Sequence, residues 1–229
     1  MKILAWNCRG LNSARAVRAL LEVQRCVKPD VFFLSETHLG KAKAEKMRRR
    51  LGCDHLIIFE SDGRSGGLML LWKKAVRIVE QGVSENYIDV LVQGEVEWHL
   101  TGVYGEPRWE HKDKTWMAMR GLKGMMEKPW LALGDFNEIL FSHEKEGGRE
   151  RPQRFMQAFH DALADCELSD MGYTGGRFTW QRGKMRERLD RGVTNNQWNV
   201  LFPGAGLLNG EMLKSDHRPL IVDTEAGGP

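Results

Sequence analysis

Short apolar runs and helical repeats alternate along this chain in an order that excludes most simple architectures. Residues 3–6 read as a strand, and Ser13 can cap a helix whose apolar positions Val17, Leu20, Leu21 and Val27 share one face. Pro29 follows, and residues 31–34 read as a second, fully buried strand. Strand, helix and strand in succession make a crossover unit. In mid-chain the pattern changes. Residues 87–93 and 96–104 are both strand-like and meet at Gln93-Gly94-Glu95, the mark of a hairpin. A hairpin excludes a purely parallel sheet, and helical crossovers at both ends exclude a plain β-sandwich. An α/β (α+β) fold with two packed mixed β-sheets flanked by helices satisfies both constraints.

The remaining segments fit that frame. A basic helix spans 41–51 and closes at Gly52; strands follow at 56–59 and 68–72, separated by a Gly-rich turn at 61–67. Further strands are expected at 75–80, 130–133, 177–181, 204–208 and 220–222, and helices at 113–126 and at 152–166, with Pro152 near its start. With 229 residues and 41% apolar side chains, the chain can bury a core and is expected to form one domain, 1–229. The four Cys (8, 26, 53 and 166) never form a C-x-x-C pair, which argues against a zinc ribbon and for a reducing, intracellular compartment. No run is long and apolar enough to suggest a membrane span, so a membrane partner is not expected. Of the eight Trp, those at 6, 72, 98, 130 and 180 lie in strand patterns and read as core; 109, 116 and 198 are open, and Trp109 lies in a charged loop.

Polar residues sit directly behind several of these apolar strands: Asn7, Glu36, Tyr104, Asp135 with Asn137, Thr179, Asp190, and Ser215-Asp216-His217. Strand ends are where an α/β scaffold presents its chemistry. Each cluster alone also admits a turn, cap or packing reading. Asp135 and Asn137, however, are two apart behind a buried strand and so aim the same way. Together the side chains offer carboxylates, carboxamides, a phenol and an imidazole, and no thiolate. That set suits a hard cation such as Mg²⁺, with Mn²⁺ able to substitute. A His held by an Asp can orient or deprotonate water. Phosphoester hydrolysis is the chemistry that uses all of these at once.

The segments Trp6-Asn7, Ser35-Glu36-Thr37-His38, Gly102-Val103-Tyr104, Gly134-Asp135-Phe136-Asn137, Leu189-Asp190-Arg191 and Ser215-Asp216-His217 resemble, in order and spacing, the motif series of the endonuclease/exonuclease/phosphatase superfamily. The likeness runs from residue 1 to about 223. It implies a four-layer αββα sandwich. Within the superfamily, Tyr104 stands where deoxyribonuclease I and the phospholipid branches carry His. Arg9 and His38 depart from the pattern of the apurinic/apyrimidinic (AP) endonucleases. The strings WNCRGL, SETHL, FTW, RLDR and SDHRPL resemble plant-type LINE (non-LTR) retrotransposon endonucleases. The implied activity is Mg²⁺-dependent nicking of one strand of double-stranded DNA to leave a 3′-hydroxyl, in the nucleus. The 3′ end would prime reverse transcription with the element's own RNA and reverse transcriptase as partners. An AP endonuclease in repair and an inactive nucleic-acid-binding remnant are the alternatives.

By the same resemblance, Glu36 binds the metal with Asn7 beside it and Asp216 assists. Tyr104 and Asn137 hold the scissile phosphate, and Asp135 activates the water or protonates the leaving oxygen. Asp190 pairs with His217, which acts as base or as transition-state stabiliser. Thr179 and Ser215 are expected near the phosphate, and Arg191 as a further DNA contact or a salt bridge. Two stretches carry most of the positive charge hidden in a net +3. Residues 41–50 hold six basic side chains and one acidic, and residues 177–191 hold six and two. Within the second, the resemblance implies that 181–188, with Arg182, Lys184 and Arg186, is the hairpin loop that enters the minor groove, where shape is sensed more than bases. A monomer is expected.

Overall fold

The computed structural model describes residues 1–61, 66–125 and 127–227. The middle of the expected Gly-rich turn (62–65) and the last residue of the expected 113–126 helix lie outside them. In chain order the elements are β1 (Lys2–Asn7), α1 (Ala14–Val27), β2 (Val31–Ser35), α2 (Lys41–Leu51), β3 (His55–Phe59), β4 (Leu68–Trp72), β5 (Arg77–Val83), β6 (Tyr87–Gln93), β7 (Trp98–Tyr104) and α3 (Asp113–Lys123). They continue with β8 (Trp130–Asp135), β9 (Lys145–Glu146), α4 (Gln153–Asp165), β10 (Ser169–Asp170), β11 (Thr174–Gly175), β12 (Trp180–Arg182), β13 (Met185–Glu187), β14 (Asp190–Thr194), α5 (Asn196–Leu201), β15 (Gly206–Asn209) and β16 (Leu220–Asp223).

Local chemistry accounts for the helix ends. The Ser13 hydroxyl accepts from Ala16 N–H at 3.1 Å, as expected of an N-cap. Gly52 closes α2 in the left-handed region at φ 69°, which glycine adopts without steric cost. The 177–181 strand is displaced. Gly183 (φ 60°) and Lys184 form a tight turn, so β12 and β13 make a hairpin that β9 extends into a three-stranded sheet. The two- and three-residue strands β9, β10, β11 and β13 are not foreseen as strands by the sequence pattern, because segments so short show no periodicity.

Two larger sheets dominate. One has the order β11-β15-β16-β1-β2-β4-β3, the other β10-β14-β8-β7-β6-β5. Each is mixed: β1–β2 and β7–β8 run parallel and most other neighbours antiparallel. The sheets pack face to face over Ile3, Ala5, Val31, Phe33, Leu68 and Leu70 from one and Ile88, Val90, Leu100, Leu131 and Leu133 from the other. The outer face of the first sheet is covered by α1 and α2, through Val17, Leu20, Ala44 and Met47. The outer face of the second is covered by α3 and α4, through Trp116, Met119, Phe159 and Leu163. The layers are therefore α, β, β, α. Phe33 fixes the approach of the sheets at one place: its ring fills the position a Cβ on Gly102 would take, 2.1 Å away. Trp116 and Trp198 are buried, and Trp109 is exposed but stacks edge-on against Phe155 with Arg151 over its ring.

Candidate active site

Strand register brings the polar residues together. Parallel pairing sets Asn7 beside Ser35, which delivers Glu36 just past the end of β2. In the facing sheet, parallel pairing sets Tyr104 beside Asp135, and antiparallel pairing sets Asp190 on the other side of Asp135. His217 arrives ahead of β16 and is bridged to Trp180. The β1–β2 and β7–β8 pairs thus end at a common edge of the two sheets. Glu36 (φ 47°) and Asn137 (φ 54°) turn there in the left-handed region, which re-aims both side chains.

One hydrogen-bonded chain runs across that edge. The Tyr104 hydroxyl donates to Glu36 Oε1 at 3.0 Å. Asn7 Nδ2 donates to Glu36 Oε1 at 2.9 Å and to Asp135 Oδ2 at 3.0 Å. Two facing carboxylates fix which end of that amide is the nitrogen. His217 Nε2 stands 3.7 Å from Asp135 Oδ2, and His217 Nδ1 bonds Asp190 Oδ2 at 2.9 Å. Asn137 N–H donates to Asp135 Oδ1, and Asn137 Nδ2 to Gly105 O, both at 2.8 Å, which leaves the second amide proton of Asn137 free to donate. The buried Lys112 ammonium donates to the Asn137 carbonyl and steadies that loop.

Burial and charge set the protonation states. Asp135 is fully buried, and loss of solvent, with the negative Asp190 nearby, pushes its carboxyl up to about 7 against the opposing pull of His217. For His217 burial would lower the pKa. The charges of Asp190 and Asp135 and the hydrogen bond to Asp190 outweigh it and raise the ring to about 9. Burial first, then the charge of Glu36, drives the Tyr104 phenol well above its ordinary value, so it stays a neutral donor.

Two groups of side chains offer themselves to a cation. Ligand atoms of Asp135, Asp190 and His217 lie within 4.8 Å of one another. There, however, one ring nitrogen is committed to Asp190 and the ring is cationic at neutral pH. Glu36 and Asp216 fit a hard cation better, being two carboxylates with side chains only 15% and 20% exposed. Asp216 Oδ1 is buried with no hydrogen-bond partner among the described residues, as a metal-binding oxygen would be.

Several placements differ from expectation. Asn7 contributes as an orienter: its Nδ2 protons go to Glu36 and Asp135, and its Oδ1 accepts from Arg9 N–H at 3.2 Å. Thr179 and Ser215 are buried and already bonded. Thr179 Oγ1 accepts from Leu189 N and Asp190 N at 3.0 and 2.9 Å. Ser215 Oγ donates to Asn7 O at 2.7 Å and accepts from His217 N–H at 3.1 Å. Both position other site residues and do not face a ligand. Arg191 is wholly buried and pairs with Glu144 and Asp170 at 2.8 and 2.7 Å, so it is an internal ion pair and no DNA contact. Arg186 pairs with Glu146, whereas Arg182 and Lys184 are exposed at the hairpin tip with no carboxylate partner among the described residues.

Two tryptophans assigned to core also serve the site. Trp180 Nε1 donates to Asp216 Oδ2 and Trp6 Nε1 to the His217 carbonyl, each at 3.0 Å. Their positions, next to Thr179 and Asn7, are the available signal. Arg9 stands out in the sequence only as a departure from the AP endonuclease pattern; its contact with Glu36 and Asp216 depends on a fold-level approach that no local pattern reveals.

The sequence matches the Endonuclease/Exonuclease/phosphatase family over residues 4–217. The chain belongs to that family. None of the curated proteins matches it in sequence. Among solved structures, a 3′ phosphatase from Neisseria bound to product DNA hairpin superposes with a TM-score of 0.76 at 19% identity, covering 97% of this chain and 98% of the other. The endonuclease domain of TRAS1, a telomere-specific non-LTR retrotransposon, gives 0.70 at 15% identity, covering 97% of each chain. An AP endonuclease from Archaeoglobus fulgidus gives 0.71 at 14% identity, covering 97% and 98%. At these identities the likeness establishes the shared fold.

Proposed function

We propose that this family member is a divalent-metal-dependent DNA endonuclease that nicks one strand, acting as the endonuclease domain of a LINE-type retrotransposon. The observation that carries the reading is the convergence of Asn7, Glu36, Tyr104, Asp135, Asn137, Asp190, Asp216 and His217 on one edge of two facing sheets. Glu36 and Asp216 would hold Mg²⁺ or Mn²⁺, which supplies positive charge against the phosphate when bound. The free N–H of Asn137 and the neutral Tyr104 phenol donate to phosphate oxygens. His217, an imidazolium at neutral pH, offsets the negative charge on the phosphoryl oxygens in the transition state. Asp135 accepts the proton of the attacking water. The new P–O bond forms as the P–O3′ bond breaks, and the proton passes to the departing 3′ oxygen. The products are a 3′-hydroxyl and a 5′-phosphate. On this reading the protein works as a monomeric domain in the nucleus, and its nick is extended by the element's reverse transcriptase on the element's RNA.

Nicking of supercoiled plasmid with Mg²⁺, against an EDTA control and with nicks mapped on both strands, tests the proposal. Expected are 3′-hydroxyl nicks in intact duplex that require Mg²⁺ or Mn²⁺. A strong preference for abasic sites would replace the retrotransposon reading with a repair one. No nicking with either ion would leave a DNA-binding remnant.

A further inference from the structure

Glu36 and Asp216 repel one another unless a cation lies between them, and this chain supplies one from its own sequence. Arg9 Nε lies 3.3 Å from Asp216 Oδ1 and 3.8 Å from Glu36 Oε2. Neither contact is an aligned hydrogen bond, since Asp216 Oδ1 has no hydrogen-bond partner. The pairing is electrostatic and loose. The backbone beneath it is held: Arg9 has φ 48°, its N–H donates to Asn7 Oδ1, and Gly10 N–H donates to Glu36 O at 2.7 Å. The Arg9 side chain is 47% exposed, so the guanidinium can leave the carboxylates without moving the loop.

We propose that Arg9 is an internal competitor for the divalent cation. Its guanidinium neutralises Glu36 and Asp216 in the free protein, is displaced when the cation binds, and then takes the incoming DNA phosphate. The inference rests on the metal-dependent reading above. A dication bonding the carboxylates at about 2.1 Å outcompetes a single charge held at ion-pair distance. A phosphate then offers the released guanidinium two parallel hydrogen bonds. Cation and DNA would thereby assist each other's binding through one side chain, with equal strength in both directions.

The test is Mn²⁺ binding to the full chain without DNA, read from the electron paramagnetic resonance signal of free Mn²⁺, for wild type, Arg9→Met and Arg9→Lys. Displacing the guanidinium forfeits about one unit-charge attraction to the carboxylates at about 4 Å in a solvent-exposed setting, so its removal in Arg9→Met is expected to tighten Mn²⁺ binding about fivefold. Arg9→Lys keeps the charge and should restore wild-type affinity. With Mg²⁺ saturating, Arg9→Met should also raise KM for duplex DNA several-fold. Mn²⁺ binding by the wild type that is unchanged or weakened in Arg9→Met overturns the proposal and leaves the metal-dependent reading standing. Absence of Mn²⁺ binding in all three overturns both.

Discussion

Replacing Asp190 by Asn removes a charge from the partner of His217 and keeps its shape. In the wild type the Asp190 carboxylate, 2.9 Å from Nδ1, is the largest influence raising the ring against burial, from an ordinary 6.5 to about 9. That rise corresponds to roughly 3 kcal/mol of preference for the imidazolium. In the Asp190→Asn variant the burial remains and the main opposing charge is gone, so the ring should titrate at or below 6.5. The sign for stability follows. A folded pKa above the unfolded one stabilises the protein fully below about pH 6.5, and the contribution is lost as pH rises through about 9. Wild type should therefore exceed Asp190→Asn by about 3 kcal/mol in urea unfolding at pH 6 with EDTA present, and the gap should shrink as pH climbs past 9. NMR titration of the His217 ring reads the pKa directly. At pH 7.5 a neutral ring should cost nicking roughly a hundredfold in kcat. A His217 ring that still titrates near 9 in Asp190→Asn, or a stability gap flat between pH 6 and pH 10, would refute the reasoning.

Thr179→Val strips the acceptor from the buried N–H groups of Leu189 and Asp190 and should cost about 2 kcal/mol in chemical denaturation while also slowing nicking, because Asp190 is then less well held. Arg191→Met leaves Glu144 and Asp170 with Arg188 as their remaining shared partner, and a loss of about 1.5–3 kcal/mol is expected by thermal unfolding. Lys184→Ala should leave the melting temperature unchanged, weaken DNA binding, and lower the slope of log affinity against log salt by about 1. Gly102→Ala drives a methyl into the Phe33 ring and should destabilise by at least about 1–3 kcal/mol.

The parts of the site that can be read in advance share one local signature, an apolar strand that stops at a polar residue. Asn7, Glu36, Tyr104 and Asp135 all have it, and register then brings them together. The capped helices and the mid-chain hairpin are legible for a similar reason, since caps and hairpin turns are local. The order β2-β4-β3 is not, because which strand enters next to β2 depends on packing between sheets. Side-chain roles that rest on partners far along the chain are equally hidden. Arg191 finds Glu144 and Asp170, 47 and 21 residues away, and Trp180 finds Asp216, 36 away.

The basic stretch at 177–191 shows how far a charge count departs from a charged surface. Arg188 and Arg191 are buried on Glu144 and Asp170, and Arg177 and Arg186 lie against Glu146. These pairs lie at the root of the β12–β13 hairpin, where Glu187 is likewise held by Lys145 and Arg151. Arg151 also reaches Glu138, the neighbour of Asn137, so the hairpin and the Asn137 loop share one ionic foundation. Only Arg182 and Lys184 project from the tip as unpaired charges among the described residues. A rigidly rooted hairpin with two free cations at its end suits a probe of groove width better than a reader of base edges, since neither cation is pre-positioned by a carboxylate for a bidentate base contact. On the endonuclease reading, target choice would then follow duplex deformability near the nick, and the ionic root would matter to it by fixing where the tip stands relative to Asp135 and His217.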